Sequence, residues 1–342
     1  MRILHIFAIA LGSTLVACTT VPENLPFEVQ SVSASVETDI MPGTGDRADD
    51  PAIWVNSANP EASLILGTDK SNGLYVYALD GSTKQFLDVG AVNNVDLRDT
   101  LGVASNDEVG ALSWFAIDAD SAEVSHLGDT PVDMVEPYGA CLGMIAGKPV
   151  AGVTYKDGTV QLWTATISED GSVSSGLDRT LKLPTQLEGC VFDDEYQRLF
   201  IGEEAAGIWV LDLSDPASEP AIVDTIAAGN GLVADVEGLS LWKAEDGSGY
   251  LVASAQEADR YVVYDRLPPH APRGIFSIVE STDGTIDAVS HTDGLDVVSA
   301  ALPGYPRGLL VVQDDTNGGL SRGQNFKLVD WATIETALGL TE

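Results

Sequence analysis

The sequence predicts an all-β protein, a six-bladed β-propeller with about four antiparallel strands in each blade. A short acidic signature recurs six times along the 342 residues. Two strand-like segments joined by a polar loop follow each signature. Helical periodicity is nearly absent, and residues 331–340 are the one fair candidate for a helix. Such repeats indicate a closed, repetitive β structure.

The acidic signatures are centred on residues 50, 96, 138, 188, 237 and 293, which lie 46, 42, 50, 49 and 56 residues apart. In four of them a carboxylate or a Tyr directly precedes a Gly, as in Glu188-Gly189. A closed structure would bring one such residue from each repeat to the same place. We therefore expect a ring of acids that binds a cation. A single β-barrel is the alternative fold, but it does not explain the period.

The paired segments alternate Val, Ile, Tyr and Trp with smaller residues, and their loops contain Gly, Asn and Asp. Both features are typical of β-hairpins. The six predicted pairs are residues 64–68 with 74–79, 101–105 with 111–117, 150–154 with 159–164, 199–202 with 207–213, 250–254 with 261–264, and 309–313 with 325–329.

The composition is strongly acidic, with 52 acidic and 17 basic residues and a formal net charge of −35. This balance argues against nucleic acid as a partner and against docking on anionic lipid. General solubility or a salty habitat explains scattered surface acids, but not acids at equivalent places in six repeats. No linker divides the chain, so we assign residues 30–342 to one propeller domain.

The first residues have the pattern of an export signal. Residues 3–16 are mostly apolar, follow Arg2, and are too short for a comfortable membrane span. Leu15-Val16-Ala17-Cys18 resembles the lipobox of bacterial lipoproteins. The resemblance implies a signal peptide at 1–17, a lipid on Cys18, and a tether at 18–29. It further implies an outer-membrane anchor, with the protein facing the periplasm or the cell surface. An ordinary signal cleaved near Ala17 is the alternative.

The two remaining cysteines, Cys141 and Cys190, follow the signature Gly of adjacent repeats. Export permits disulfides, and equivalent positions on neighbouring blades would lie close together. We predict a disulfide between them, with two buried free thiols as the alternative.

The candidate ligands for a cation are almost all oxygen donors, which hard cations such as calcium prefer. Only four His occur, too few for the usual zinc or di-iron sites, and no EF-hand loop, Gly-x-Ser-x-Gly motif or phosphate-binding Gly-rich loop is found. The candidate oxygen donors are Asp49, Asp50, Asn94, Asp96, Glu188, Glu203, Glu204, Asp235, Glu237, Asp287, Asp293, Asp314 and Asp315.

Basic residues are few, so their positions are informative. Lys70 and Lys156 lie in the polar hairpin loops of their repeats, and Arg98 follows the second signature by two residues. Cations beside an acidic metal site suit a ligand with several negative charges. Ordinary surface lysine is the alternative for either Lys alone.

At this point the residues resemble the β-propeller phytases, a calcium-dependent family. The resemblance spans about residues 37–335, and several blocks in order make it specific. The matching blocks are Asp49-Asp50-Pro51-Ala52-Ile53-Trp54, Asn93-Asn94-Val95-Asp96-Leu97-Arg98, Glu136-Pro137-Tyr138-Gly139, Val153-Thr154-Tyr155-Lys156, Glu188-Gly189-Cys190-Val191, Ile201-Gly202-Glu203-Glu204, Asp235-Val236-Glu237-Gly238-Leu239, Ser290-His291-Thr292-Asp293-Gly294-Leu295-Asp296 and Asn325-Phe326-Lys327.

The resemblance implies hydrolysis of phytate, presented as its calcium complex, with several calcium ions as cofactors. We expect direct attack by a calcium-bound water held by Glu188, Asp235 and Glu237, in a monomeric enzyme. The implied metal positions are Glu37, Asp50, Asn94, Asp96, Glu188, Glu204, Asp235, Glu237, Asp287 and Asp293. The implied phosphate-facing positions are Lys70, Tyr138, Lys156 and Gln256, to which the position of Arg98 adds a fifth.

Two positions depart from the family pattern. Ser71 stands where some relatives have a second Lys, and Asp107 stands where relatives usually have a phosphate-binding Arg. The loss of two cations is expected to weaken phytate binding, to shift substrate preference, or to be offset by another calcium. Two other functions stay open from the sequence, a lactonase-type calcium propeller and a non-enzymatic propeller with structural calcium.

Overall fold

The computed structural model describes residues 25–132, 136–318 and 323–340. Its strands form six antiparallel sheets of four strands each around a central channel, with one added parallel strand. The prediction of a six-bladed β-propeller is therefore confirmed. No helix in these three ranges has the length and apolar character needed to cross a membrane.

The chain first forms two edge strands, β1 (Val29–Ser33) and β2 (Val36–Glu37), and then the blades in order. Blade 1 contains β3 (Ala48–Trp54), β4 (Leu64–Asp69), β5 (Gly73–Ala78) and β6 (Thr83–Asp88). Blade 2 contains β7 (Val92–Arg98), β8 (Leu101–Asn106), β9 (Ala111–Ile117) and β10 (Val124–Pro131). Blade 3 contains β11 (Gly139–Ile145), β12 (Lys148–Thr154), β13 (Thr159–Ile167) and β14 (Val173–Lys182).

Blade 4 contains β15 (Leu187–Asp193), β16 (Arg198–Glu203), β17 (Gly207–Asp212) and β18 (Ala221–Thr225). Blade 5 contains β19 (Val236–Lys243), β20 (Gly249–Ala255), β21 (Arg260–Asp265) and β22 (Pro272–Val279). Blade 6 contains β23 (Leu295–Val298), β24 (Leu309–Asp314) and β25 (Asn325–Asp330). Short 3₁₀ turns lie at Pro60–Ala62, Ile226–Ala228 and Gln256–Ala258. The six predicted hairpins are the second and third strands of the six blades.

The helix α1 (Trp331–Leu338) follows the last strand, close to its predicted range. Its first turn is capped by Asp330, whose Oδ1 accepts a hydrogen bond of 3.1 Å from the Ala332 N–H. Gly339 ends the helix in the left-handed conformation, at φ 64°.

The ring is closed by the N-terminal strands. β2 pairs antiparallel with β25, so blade 6 combines the two ends of the chain. β1 adds a fifth strand, parallel to β22, to blade 5. Across the described chain six apolar clusters form, one between each pair of neighbouring blades. Both faces of each blade are therefore buried, which explains the near-continuous apolar runs of the central strands.

Four inner strands carry a β-bulge near their start, at the same mouth of the channel. In β3, residues 49 and 50 lie between the pairs Ala48–Asp69 and Pro51–Gly67. Equivalent bulges contain residues 93 and 94 in β7, 188 and 189 in β15, and 237 and 238 in β19. A bulge redirects side chains locally. The bulges thus place Asp49, Asn93, Glu188 and Glu237 at one mouth, which we call the acidic mouth.

The signature glycines allow the inner strands to approach one another at this mouth. A Cβ atom on Gly139 would lie 2.0 Å from the carbonyl oxygen of Glu188, and one on Gly189 equally close to that of Glu237. Each Gly therefore packs against the signature of the next blade, where no larger residue fits.

Candidate active site

A cleft of about 420 Å³ lies at the acidic mouth. The cleft brings together eight of the predicted site residues: Lys70, Tyr138, Glu188, Glu204, Asp235, Glu237, Gln256 and Asp293. Its other lining residues are Asp46, Gln186, His291 and Asp315. One compact cleft therefore unites residues from blades 1, 3, 4, 5 and 6.

Three glutamates form the centre of the cleft. One carboxylate oxygen each of Glu188, Glu204 and Glu237 lies within 4.8 Å of the others, and all three side chains are buried. Gln186 Nε2 donates to Glu204 Oε1 at 2.7 Å, and Asn93 Nδ2 donates to Glu188 Oε1 at 3.1 Å. Such close carboxylates repel one another unless a cation or protons neutralise them.

Burial raises the pKa of Glu204, of Glu237 and of the neighbouring Asp235. Burial and the neighbouring Glu188 raise the pKa of Glu237 well above its usual range. Burial raises the pKa of Glu204 to about 7, and burial and Glu257 raise the pKa of Asp235. A bound cation would reverse this effect, because it favours the charged carboxylates. Metal binding and proton release are therefore coupled at this cluster.

A second group of carboxylates surrounds Lys70, on the turn between β4 and β5. Lys70 Nζ lies 2.7 Å from Asp293 Oδ2, 3.2 Å from Asp46 Oδ2 and 3.5 Å from Asp49 Oδ1. Gln256 Nε2 donates to the other oxygen of Asp293 at 2.5 Å. Burial opposes the charge on Lys70, but the three acids outweigh it and raise the pKa of the ammonium.

The donor set of the acidic mouth fits a hard divalent cation. Both carboxylate oxygens of the fully buried Asp49 and Oε2 of Glu237 lack hydrogen-bond partners. Unpartnered buried carboxylate oxygens are costly unless a cation or a proton is bound to them. The donors are oxygen atoms, which calcium and magnesium prefer over the nitrogen and sulfur ligands of zinc. The acidic mouth can therefore hold a metal ion.

Tyr138 lines the blade 3 side of the cleft, and Lys156 lies next to Tyr138. Lys156 Nζ lies 4.2 Å from the centre of the Tyr138 ring, and its side chain is exposed. Burial and the nearby Glu188 raise the pKa of Tyr138, so its phenol stays protonated and can donate a hydrogen bond. Both groups can bind a phosphate beside the carboxylates.

Ser71 and Asp107, the two positions that depart from the family pattern, lie at the rim of the cleft. Asp107 is exposed, and partial desolvation raises its pKa to about 6 while Lys156 opposes the shift. Ser71 is exposed, and its N–H donates to Asp69 Oδ1 at 2.9 Å. Asp107 therefore adds a negative charge to the side of the cleft that contains Lys156.

Asp50 and Asn94 lie in the bulges beside the cleft. Asp50 Oδ2 accepts from the Val95 N–H at 3.0 Å, which joins blade 1 to blade 2. The N–H of Asn94 donates to Ser105 Oγ at 3.1 Å. Both residues line a separate channel cavity of about 280 Å³ below the mouth. At least one carboxylate oxygen of Asp50 therefore forms a hydrogen bond between blades 1 and 2.

The structure does not bring Asp96 and Arg98 to the cleft. Arg98 Nε donates to Asp194 at 2.9 Å and Nη1 to Asp96 Oδ1 at 3.0 Å, in the channel cavity. Asp96 Oδ2 accepts from the Leu142 N–H at 2.8 Å, which joins blade 2 to blade 3. The blade 2 bulge contains residues 93 and 94, so Asp96 and Arg98 lie further along β7, away from the mouth. Their predicted roles in metal and phosphate binding stay predictions, and the structure places both residues in the channel cavity rather than in the cleft.

Glu37 and Asp287 lie in blade 6, around a lysine. Lys327 Nζ lies 2.7 Å from Glu37 Oε2, 2.5 Å from Asp287 Oδ1 and 3.1 Å from Asp314 Oδ2. The Lys327 side chain is fully buried. Lys327 and hydrogen bonds lower the pKa of Asp287 despite its burial. This ammonium neutralises residues that were predicted to bind metal.

Cys141 and Cys190 form a disulfide with a Cα–Cα distance of 5.7 Å. The bond joins β11 to β15 and therefore links blades 3 and 4 next to Tyr138 and Glu188. The predicted lipidation residue, Cys18, lies outside the described residues.

Sequence reasoning did not single out Asp46, Asn93 or Gln186. Asn93 occupies the same bulge position as Asp49, so alignment of the repeats on the strand starts would have found it. Gln186 precedes Glu188 by two residues and becomes relevant only through its contact with Glu204. Gln186 precedes β15 and Glu204 follows β16, so the two residues meet only when these strands pair, and no sequence pattern indicates the contact.

Comparison with known proteins places this arrangement in a family. The family model described as Phytase matches residues 1–342. A curated 3-phytase of Bacillus subtilis (strain 168) is 37% identical over 352 residues, covering 97% of this chain and 91% of the relative. The chain belongs to the phytase family. This membership agrees with an acidic metal-binding cleft flanked by lysines.

Two solved structures share the overall architecture. The crystal structure of the RRP9 WD40 repeats has a TM-score of 0.52 and 11% identity, covering 84% of this chain and 79% of that one. The structure of U3-55K has a TM-score of 0.53 and 10% identity, with 83% and 79% coverage. At this identity the likeness concerns the propeller fold alone.

Proposed function

We propose that this protein is a calcium-dependent phosphomonoesterase that hydrolyses phytate to lower inositol phosphates and phosphate. The observation that carries the proposal is the buried cluster of Glu188, Glu204 and Glu237 in a cleft that also contains Lys70. Membership of the phytase family and the similarity to a 3-phytase point to the same substrate.

The carboxylates of the cleft account for the metal requirement. Glu188, Glu204 and Glu237, with Asp235 at their side, would hold calcium ions, and Asp49 and Asp293 supply further oxygens. Calcium held by these residues would neutralise phosphate oxygens and activate a water molecule, which is the chemistry that an inert phosphate ester requires. Both cysteines of the described chain form the disulfide, so neither provides a nucleophile for a covalent phosphoenzyme. We propose direct attack by water, without a covalent phosphoenzyme.

The remaining cleft residues bind and orient the substrate. Lys156 and Lys70 offer ammonium groups to the phosphates, the protonated Tyr138 phenol donates a hydrogen bond, and Gln256 offers an amide. These groups lie around the cluster, so a substrate with several phosphates can contact the lysines and the metal at once. Asp107 opposes this binding, which predicts weaker affinity for phytate than an Arg would give.

We further propose that the mature protein is a monomer anchored in the outer membrane through a lipid on Cys18, facing the periplasm or the cell surface. The support is the Leu15-Val16-Ala17-Cys18 motif after an apolar segment. Metabolic labelling with a radioactive fatty acid tests the anchor, and a Cys18→Ala variant that still incorporates the label would contradict it.

The substitution Glu237→Gln tests the function. It keeps the shape of the side chain but removes a charge from the metal cluster, and we expect phosphate release from calcium–phytate to fall at least about 100-fold. The matched control is Glu245→Gln, because Glu245 is exposed beyond the other end of the same strand, β19. Thermal unfolding of both variants checks that they are folded.

The wild-type protein provides the second arm of the test. We expect phosphate release to stop with a chelator and to resume when calcium is added back. Full activity of Glu237→Gln would overturn the proposal. Lactone hydrolysis without phosphate release would favour a lactonase-type propeller instead.

A further inference from the structure

Lys70 is the internal counterion of one half of the cleft. Its ammonium lies 2.7 Å from Asp293 and 3.5 Å from Asp49, and the exposed Asp46 holds it from the outside at 3.2 Å. The Asp49 carboxylate is fully buried, and Lys70 is the cation that the structure places next to it. The carboxylates of Asp49 and Asp293 therefore need a nearby positive charge, and Lys70 supplies it.

The same two carboxylates belong to the proposed metal site. A calcium ion binds carboxylate oxygens at roughly 2.3–2.6 Å, which is shorter than either contact of Lys70 with Asp49 or Asp293. An ammonium and a divalent cation on the same oxygens would repel each other strongly in a buried site. Only one of them can occupy that position.

We propose that Lys70 and calcium compete for Asp49 and Asp293, so that calcium binding releases the Lys70 ammonium toward the substrate phosphate. This inference rests on the proposed function. The side chain can move, because it stands on the β4–β5 turn and is 21% exposed. Calcium would thus complete the metal site and free a phosphate-binding group in one event.

Lys327 provides an internal control for Lys70. It also lies among three carboxylates, but its side chain is 0% exposed and sits within a strand rather than on a turn. Full burial and a place within a strand oppose displacement of this ammonium by a cation. Competition with calcium is therefore expected at Lys70 and not at Lys327.

Asp46 separates competition from ordinary electrostatics. It is 66% exposed and holds Lys70, and it was not among the predicted metal ligands. If Lys70 competes with calcium, Asp46→Asn loosens the lysine, and calcium binds tighter. If the lysine does not compete, the loss of a negative charge beside the site weakens calcium binding. The two explanations therefore predict changes of opposite sign in the calcium affinity of Asp46→Asn.

Calorimetric titration of calcium into the mature chain, without substrate, measures whether the calcium affinity rises or falls. We expect Asp46→Asn to bind calcium about two- to fivefold tighter than wild type, the range expected for loss of one exposed ion pair. The control Asp157→Asn removes the acid of another exposed lysine pair, Lys182–Asp157, and should leave calcium affinity unchanged. An unchanged or weaker affinity of Asp46→Asn overturns the inference.

Inorganic phosphate is the probe for the released ammonium. We expect calcium to increase phosphate affinity of the wild type, and Lys70→Met to lose most of that increase. Lys182→Met, the matched lysine control, should keep it. Equal gains in Lys70→Met and wild type would also overturn the inference. Wild-type protein that binds no calcium would contradict the proposed function itself, so the two failures are distinguishable.

Discussion

At the scale of single residues, Glu204 is a carboxylate of the cluster whose protonation changes near neutral pH. Burial raises its pKa to about 7 from a usual value of 4.5, and Glu188 and Asp235 add to the shift. The folded protein therefore binds this proton more tightly than the unfolded chain does. Such a group destabilises the folded state as the pH rises, because ionisation costs more in the fold than in water.

We predict that in a chelator the free energy of unfolding contributed by Glu204 falls as the pH rises from 4.5 to about 7. In this range the folded state holds more protons than the unfolded state, which gives the negative slope. Glu204→Gln should reduce the slope, as measured by denaturant unfolding at several pH values. Glu245→Gln serves as the exposed control. Identical slopes for Glu204→Gln and wild type would refute this assignment.

At the scale of elements, the inner strands do more than carry site residues. Asp50 and Asp96 each accept a backbone N–H from the next blade, and the disulfide joins β11 to β15. Side chains of one strand therefore position the next one around the channel. The geometry of the cleft depends on these connections because its residues come from five blades.

Removal of the disulfide by Cys141→Ala with Cys190→Ala is expected to lower the free energy of unfolding by about 2–4 kcal/mol, since it closes a loop of 49 residues. Denaturant unfolding measures the loss. Wild-type protein in a reductant should lose a similar amount, while the double variant should not respond to the reductant. Unchanged stability of the double variant would show that the bond contributes nothing.

At the scale of the whole molecule, the N-terminal strands close the ring. β2 pairs with β25 in blade 6, and Val32 and Ala34 are buried against blades 5 and 6. The contact joins residues nearly 300 positions apart in sequence, as in the bond of 2.8 Å from the Ser35 N–H to the Leu328 carbonyl oxygen. The ends of the chain therefore hold each other.

A chain that begins at residue 38 should be less stable by at least about 3 kcal/mol than one that begins at residue 25, because it loses the buried Val32 and two edge strands. Thermal and denaturant unfolding measure the difference. A chain that begins at residue 29 keeps both strands and is the control, with stability near that of the longer chain. Equal stability of all three would contradict a role of the N-terminus in closure.

The repeat period and the hairpin patterns are local properties, and from them the six blades and their central strands were predictable. The glutamates at 188, 204 and 237 were predictable for the same reason, because each occupies a regular place in its repeat. Asp96 lies beyond the blade 2 bulge, which contains residues 93 and 94, and the period alone does not reveal the position of that bulge.

The ion pairs could not be predicted from sequence patterns. Arg98 with Asp194, Lys327 with Glu37, and Lys70 with Asp293 are separated by 96, 290 and 223 residues. The fold class and the chemical type of the site follow from residue identity and spacing along the chain. The partner of each charge follows from closure of the ring, because only the packed blades bring distant residues within bonding distance.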